Sequence, residues 1–270
     1  MGIPDSLFGQ GFFRPRPDDV NMRQSAGSHA ICQPCDCLQP QHGNGRFGRL
    51  HLHSETQSTD CDAWRLLERL VETAAAKWSK EFAPGLDMPP DMWSQIITLP
   101  RSIAKLTSVR RLYLHGSNLV RIPPEIGTME NLEEWDIYTS YRLHWLPYEV
   151  TRCQKLKRSR ASTRALYGNY KYRPPFPPLG DEAAKRNFVT GNCGVCGRVF
   201  SGESVFQVWI SLRVATDVFP LLVNACSEGC IRGLPRPANG YVGQPHTGGR
   251  GLQQPPPGHG VRGVVIPNRD

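Results

Sequence analysis

Apolar residues recur at spacings of three and four between residues 59 and 82, a period typical of one face of an α-helix. The apolar positions are Trp64, Leu67, Val71, Ala74, Ala75, Trp78 and Phe82. Thr59 or Asp60 is a suitable N-terminal cap, and Pro84 would end the helix. The pattern therefore predicts an amphipathic helix that begins near Asp62.

A longer period follows, marked by an apolar residue and a proline at Leu99-Pro100, Ile122-Pro123 and Leu146-Pro147. Successive pairs are 23 and 24 residues apart. Apolar residues recur in matching order at Val109, Leu112, Leu114 and Leu119 in the first unit and at Leu132, Trp135, Ile137 and Leu143 in the second. Fixed periods of this length are typical of solenoids, whose units bury their apolar edges against one another.

Residues 94–166 resemble the leucine-rich repeat family, in its short intracellular form with a proline in each turn. The sequence departs from the family at Ser117 and Ser140, where an asparagine is usual, and at Ser159 and Ala161, where large apolar residues belong. The resemblance implies an α/β fold: a short leucine-rich repeat solenoid with the N-terminal helix as one cap and residues 166–179 as the other. It also implies a concave parallel sheet that is presented to a protein partner.

The outward side chains of the predicted strands form the candidate partner-binding face. Since Leu112 and Leu114 point inward, their neighbours point outward, and the same alternation holds in the next two units. The face consists of Arg110, Arg111, Tyr113, His115, Glu133, Glu134, Asp136, Tyr138, Lys157, Arg158, Arg160 and Ser162. Tyrosine and arginine often carry binding energy in protein interfaces.

Basic charge suggests a second interpretation. The formal net charge is +8, and residues 152–173 contain eight Lys or Arg residues without an acidic one. With interleaved tyrosines, this run indicates nucleic-acid binding. The repeat register offers another explanation, because it sets acidic residues of the second strand between basic residues of the first and third, as in Arg111, Glu134 and Arg158.

Four cysteines C-terminal to the predicted repeats have the spacing of metal ligands. They are Cys193 and Cys196 in "CGVCGRVF", and Cys226 and Cys230 in "ACSEGC". Two strand-like stretches separate the pairs, so the segment resembles a treble-clef zinc finger. The resemblance implies one zinc ion held by four thiolates. With every position filled by protein, such a site is structural. Iron and a redox pair remain the alternatives.

The other cysteines leave a question open. Cys32, Cys35 and Cys37, with His51, His53 and Cys61 downstream, offer metal-ligand residue types without a flanking strand or helix pattern. Whether this N-terminal cluster binds metal cannot be decided from the sequence. Paired thiols in a chain without a secretion signal or a membrane-spanning run favour a cytoplasmic protein that does not enter a membrane.

The predicted organisation is a disordered segment over 1–58, a helix-capped repeat domain over 59–180, a four-cysteine zinc-binding domain over 188–236 and a disordered Gly/Pro-rich tail over 237–270. No nucleophile elbow, phosphate loop or convincing carboxylate pair is present. We therefore expect a non-enzymatic protein–protein interaction module, with a nucleic-acid-associated protein as the alternative. The partner, the pathway and the oligomeric state cannot be read from the sequence.

Overall fold

The computed structural model describes residues 52–179, 190–200 and 205–258. Most of the predicted N-terminal segment, including Cys32, Cys35 and Cys37, lies outside these ranges, and so do residues 259–270 of the predicted tail. Within the described ranges, every helix is too short or too polar to cross a membrane.

The first helix, α1, spans Asp62–Ala76 and buries Ala63, Trp64, Leu67, Val71 and Ala74. The helix begins where the sequence predicts, but Cys61 occupies the N-cap position without a side-chain cap hydrogen bond, so neither Thr59 nor Asp60 caps it. It also ends early: Trp78 has φ 51° and a 70 % exposed side chain. Such a left-handed backbone cannot continue a helix, which directs the chain into an extended segment.

A four-stranded parallel sheet follows, with the order β1 (Glu81–Phe82), β2 (Arg111–Tyr113), β3 (Glu134–Ile137) and β5 (Arg158–Ala161). Two short helices, α2 (Pro84–Asp87) and α3 (Pro90–Trp93), connect β1 to the next unit. The register sets Arg111 beside Glu134 and Glu134 beside Arg158. The basic, acidic and basic residues that the sequence predicts to be neighbours across the three strands therefore do lie side by side.

Each of the other three strands of this sheet, β2, β3 and β5, follows a 3-10 helix that begins directly after a proline. These turns are Arg101–Lys105, Pro124–Thr128 and Tyr148–Arg152, and a shorter one at Thr163–Ala165 follows β5. Pro100, Pro123 and Pro147 precede the three longer turns with φ near −70° (−71, −72 and −69°). Proline fixes φ at about this value, so the recurring residue sets the same bend in each unit.

Successive units stack closely. The hydroxyls of Ser117 and Ser140, both buried, lie 2.8 Å apart, and Ser140 donates to the carbonyl of Leu114 at 3.0 Å. The Ser140 hydroxyl also accepts a hydrogen bond from the backbone N–H of Ser117 at 3.4 Å, so it satisfies backbone groups of both turns.

A second sheet has the order β4 (Leu146–Pro147), β7 (Asp217–Ala225) and β6 (Phe206–Val214). β6 and β7 form an antiparallel hairpin where the sequence predicts two strand-like stretches, and β4 pairs with β7 in parallel. A five-residue helix, α4 (Glu228–Arg232), follows β7. Phe219 of β7 contacts Trp135 of β3 edge to face, with ring centroids 5.8 Å apart, so the two sheets share one core.

A smaller buried cluster lies beside this core, formed by Leu52, Trp145, Tyr167, Phe176, Leu179, Trp209 and Leu222. Both ends of the described chain contribute to its surroundings. Trp209 exchanges backbone hydrogen bonds with His246 at 2.7 and 3.1 Å, and Leu179 donates to Thr247 at 2.9 Å. The described residues of 237–258 therefore find backbone hydrogen-bond partners along the edge of β6.

Candidate metal centre and exposed sheet face

The four predicted cysteine ligands come together at one end of the β6–β7 hairpin. Their Sγ atoms all lie within 4.8 Å of one another. Cys226 Sγ lies 3.6 Å from the Sγ atoms of both Cys196 and Cys230. Four sulfurs at about 2.3 Å from a tetrahedral ion would be about 3.8 Å apart, so the cluster is close to the size that such an ion requires.

The first two cysteines lie on a tight turn. Cys193 donates its backbone N–H to Arg198 at 2.8 Å, and Gly197, with φ 77°, donates back to Cys193 at 2.9 Å. Gly194 donates to the carbonyl of Asn224 at 2.8 Å, which fixes the turn to β7. A glycine at position 197 permits the left-handed backbone that brings Cys196 back toward Cys193.

The second pair begins where β7 ends. Cys226 follows the last strand residue, and Cys230 lies in α4. Ser227 is the N-cap of this helix, and its hydroxyl accepts a hydrogen bond from the backbone N–H of Cys230 at 3.2 Å. The cap therefore orients the fourth thiol toward the other three.

The thiols influence one another electrostatically. Burial raises the pKa of Cys193, but hydrogen bonds from the backbone N–H groups of Cys196, Cys226 and Val195 outweigh it and lower the pKa to about 6. The pKa of Cys226 is raised to about 12, first by its hydrogen bond with Cys196 and then by that with Cys230. Neighbouring thiols thus compete for one negative charge, and a bound cation would remove this competition.

The arrangement can bind a metal ion through four sulfur atoms, consistent with a zinc finger, and its cysteines form no disulfide. The two other described cysteines lie elsewhere. Cys153 is buried, its Sγ contacts the carbonyl of Ile126 at 3.2 Å, and burial raises its pKa to about 12. Such a thiol packs as a small apolar side chain and is a poor nucleophile.

The candidate partner-binding face lies on the parallel sheet. Eleven of its twelve residues are exposed or half-buried, including Arg110, Tyr138 and Arg160. Asp136 differs, with only 4 % of its surface exposed. It accepts hydrogen bonds from the backbone N–H of Tyr138 at 2.9 Å and from Arg160 at 3.2 Å. The strand alternation directs the Asp136 side chain outward, but neighbouring residues cover it.

Charges on this face are paired across the strands. Arg110 lies 3.6 Å from Glu133, and Arg158 forms an ion pair with Glu134. The guanidinium of Arg160 also stacks over the Tyr138 ring, 4.6 Å from its centroid. Part of the basic run is therefore neutralised within the sheet, whereas Arg164 and Lys171 of the same run are exposed.

Sequence reasoning missed two groups of buried polar residues. Glu149 packs against the metal-binding turn, and burial raises its pKa to about 7. His53 and His144 meet in the interior with their Nε2 atoms 3.3 Å apart. The two histidines are 91 positions apart, and no periodicity connects them, so only the folded chain brings them together.

Comparison with known proteins assigns no family. No protein-family model matches the chain, and no curated protein matches it significantly. The function must therefore be argued from the residues themselves.

Proposed function

We propose that the chain is a non-enzymatic, cytoplasmic interaction module: a short leucine-rich repeat solenoid over residues 94–166 that binds a protein partner through its exposed sheet face. A structural zinc ion at Cys193, Cys196, Cys226 and Cys230 holds the adjoining finger. The observation that carries the proposal is the row of aromatic and charged side chains on one side of the parallel sheet.

Support for the repeat comes from the register. The partners Tyr113, Asp136 and Arg160 lie in one column, and each unit contains a proline, a 3-10 turn and a strand in the same order. One side of these strands packs in the core, as for Leu112, which is 1 % exposed. The opposite side carries Tyr138, which is 40 % exposed, and Arg160 stacked on it. A pre-positioned aromatic and arginine pair suits recognition of a protein surface.

Support for zinc comes from the donor set. Four soft thiolates with nearly tetrahedral spacing favour zinc or iron over the hard cations that prefer oxygen. The turn that holds Cys193 and Cys196 and the five-residue helix gain stability when an ion crosslinks them. Elemental analysis of the purified chain identifies the metal.

The experiment compares two double variants in affinity capture from nuclease-treated cell extract. Tyr113→Ala/Tyr138→Ala removes the aromatic residues of the face, and Tyr170→Ala/Tyr172→Ala removes two exposed tyrosines elsewhere in the basic region. We expect the first variant to lose a specific protein partner and the second to retain it. Surface substitutions should change the free energy of unfolding by no more than about 0.5 kcal/mol, which denaturant titration verifies.

Retention of the partner by a folded Tyr113→Ala/Tyr138→Ala variant would contradict the proposed face. The alternative, nucleic-acid binding, predicts that capture disappears after nuclease treatment and that affinity falls steeply with salt concentration. Under that alternative, exposed residues such as Arg164 and Lys171 contact phosphate.

A further inference from the structure

A loop of exposed tyrosines and cations, residues 169–173, lies at the C-terminal end of the basic run. Tyr170 and Tyr172 are 42 % and 46 % exposed, and Lys171 between them is exposed as well. The Lys171 ammonium lies 5.4 Å from the centroid of the Tyr172 ring. Two neighbouring rings with this much accessible surface, and a cation between them, form a candidate contact surface.

The loop is held in one conformation by Asn169, which is 4 % exposed. Its side-chain oxygen accepts hydrogen bonds from the backbone N–H groups of Lys171 and Tyr172 at 3.1 and 3.0 Å. Its side-chain N–H group donates to the carbonyl of Leu166 at 3.0 Å, and its carbonyl accepts from the backbone N–H of Arg173 at 2.9 Å. A surface that is ordered before binding loses less conformational entropy when a partner docks.

Arg173 joins this loop to the C-terminal part of the described chain. Its guanidinium donates to the carbonyl of Gly240 at 2.5 Å and stacks over the ring of Tyr241, 4.9 Å from the centroid. Gly258 donates its backbone N–H to the carbonyl of Tyr170 at 2.9 Å. Tyr241 therefore adds a third, half-buried ring beside the loop.

The two segments that meet at this surface lack acidic side chains. Residues 161–179 and 233–258 contain no Asp or Glu. Their cationic side chains are Arg164, Lys171, Arg173, Arg236 and Arg250. Among the described residues, none of these five forms an ion pair with a carboxylate, whereas Arg158 is paired with Glu134 in the sheet. The five charges are therefore suited to attract a polyanion.

The structure divides the basic run of residues 152–173 into two parts. Arg158 and Arg160 pair with acidic residues of β3 inside the parallel sheet. The 169–173 loop lies beyond β5, and its surface is completed by Tyr241, which no sequence pattern connects with the run. The rings and charges that can contact a polyanion thus lie outside the exposed sheet face.

We propose that the 169–173 loop, together with Tyr241 and the surrounding cations, binds single-stranded nucleic acid on a surface separate from the face that binds the protein partner. Unpaired bases expose their flat faces and stack on tyrosine rings, whereas bases in a duplex are already stacked on one another. Lys171, held beside the Tyr172 ring, neutralises a phosphate next to a stacked base. An acidic protein or an anionic membrane would use the cations without requiring the flat rings.

The test is fluorescence anisotropy of the purified full-length chain with labelled oligo(dT) and oligo(U) strands of about 12 nucleotides. We expect both strands to bind, and an abasic strand of the same length, which has the same phosphates without bases, to bind at least about tenfold more weakly. Tyr170→Ala/Tyr172→Ala should weaken oligo(dT) binding by a similar factor. Tyr170→Phe/Tyr172→Phe is the matched control, since phenylalanine keeps the ring face and should retain the native affinity.

Two further variants separate this surface from the exposed sheet face. Tyr113→Ala/Tyr138→Ala removes the aromatic residues of the sheet face and should leave oligo(dT) binding unchanged. Lys171→Gln should lower the slope of log affinity against log salt concentration by about 0.7, the contribution of one phosphate contact. Circular dichroism checks that each variant is folded.

Three results would overturn the proposal. Equal affinity for the abasic and base-containing strands would show a purely electrostatic surface, as for an acidic protein or a membrane. Native oligo(dT) affinity in a folded Tyr170→Ala/Tyr172→Ala variant, or no oligo(dT) binding by the native chain, would exclude the loop. Loss of binding in Tyr113→Ala/Tyr138→Ala would place the nucleic acid on the sheet face instead.

Discussion

At the residue scale, His246 shows how packing changes the acid–base behaviour of a side chain that the sequence places in a flexible-looking tail. Its ring contacts Phe176 edge to face, with centroids 4.6 Å apart. Its Nδ1 accepts a hydrogen bond from the backbone N–H of Gly248 at 3.2 Å. Burial lowers the pKa of His246 to about 4, so the ring is neutral in the folded protein.

The lowered pKa predicts a loss of stability in mild acid. Below pH 6.5 the unfolded chain takes up a proton at this histidine, whereas the folded chain does not until about pH 4. This histidine therefore does not lower the free energy of unfolding above pH 6.5, and it lowers that free energy progressively as the pH falls from 6.5 to about 4. Between pH 7.0 and 5.5, we expect the native protein to lose about 1 kcal/mol more than His246→Asn, after allowing for partial solvent screening.

Denaturant titrations of both proteins at the two pH values measure this difference. Because the other histidines and carboxylates titrate in both proteins, their contributions cancel. Equal losses in the two proteins would show that His246 is protonated as easily when folded as when unfolded.

Contacts between polar or thiol side chains are predictable only where sequence spacing encodes their geometry. Cys193 and Cys196 share a turn, and Cys226 and Cys230 flank the start of one helix, so local spacing brings each pair together. His53 and His144 have no such local relation, because their approach depends on how the chain before α1 packs against the loop after β3. Asp136 likewise follows the predicted alternation, yet Tyr138 and Arg160 bury it.

At the element scale, the stacked 3-10 turns depend on a glycine. A Cβ atom at Gly127 would lie 2.6 Å from the backbone carbonyl oxygen of Glu149 in the next turn. Backbone cannot move aside as a flexible side chain can, so the two turns would have to separate. The glycine therefore sets how closely the second and third turns stack.

We expect Gly127→Ala to lower the free energy of unfolding by about 1 to 3 kcal/mol through this overpacking. Gly243→Ala is the control, since a Cβ atom there meets nothing within 4 Å. Chemical denaturation of both variants measures the difference. A Gly127→Ala protein as stable as the control would mean that the turns relax without cost.

Element prediction succeeded where periodicity extends over many residues and was less accurate for short segments. The alternation over β6 and the apolar run over β7 predict these two strands, and the three- and four-residue spacing predicts α1. The helix ends before its apolar pattern does, because Phe82 is buried from a strand instead of from the helix. Pairing of the two-residue strand β4 with β7 is a tertiary contact that no local pattern encodes.

At the scale of the whole molecule, the β6–β7 hairpin and the parallel sheet are not separated by solvent. Phe219 and Leu221 of β7 belong to the same buried cluster as Leu112 and Trp135 of the parallel sheet. Composition suggests a boundary near residues 180–188, but it cannot show that the hairpin beyond it contributes to the core of the preceding segment. Such a shared core couples the stability of the two parts.

Removal of the proposed metal ion from Cys193, Cys196, Cys226 and Cys230 by a chelator should therefore lower the unfolding midpoint of both sheets together. We expect tryptophan fluorescence and far-UV circular dichroism to agree on one midpoint before chelation and to agree again on one lower midpoint after it, as in a two-state transition. Two separate transitions after chelation, with the parallel sheet persisting, would contradict the coupling and favour independent domains.

The tip of the β6–β7 hairpin also determines where the parallel sheet stops. On β5, the backbone N–H of Ser159 donates to Thr216 Oγ1 at 3.2 Å, and the same hydroxyl donates to the Ser159 carbonyl at 2.9 Å. One threonine thus occupies the backbone groups that an added strand would use. Recruitment of a strand from another chain at this edge would first have to displace Thr216, so a residue 57 positions downstream limits the extension of the parallel sheet.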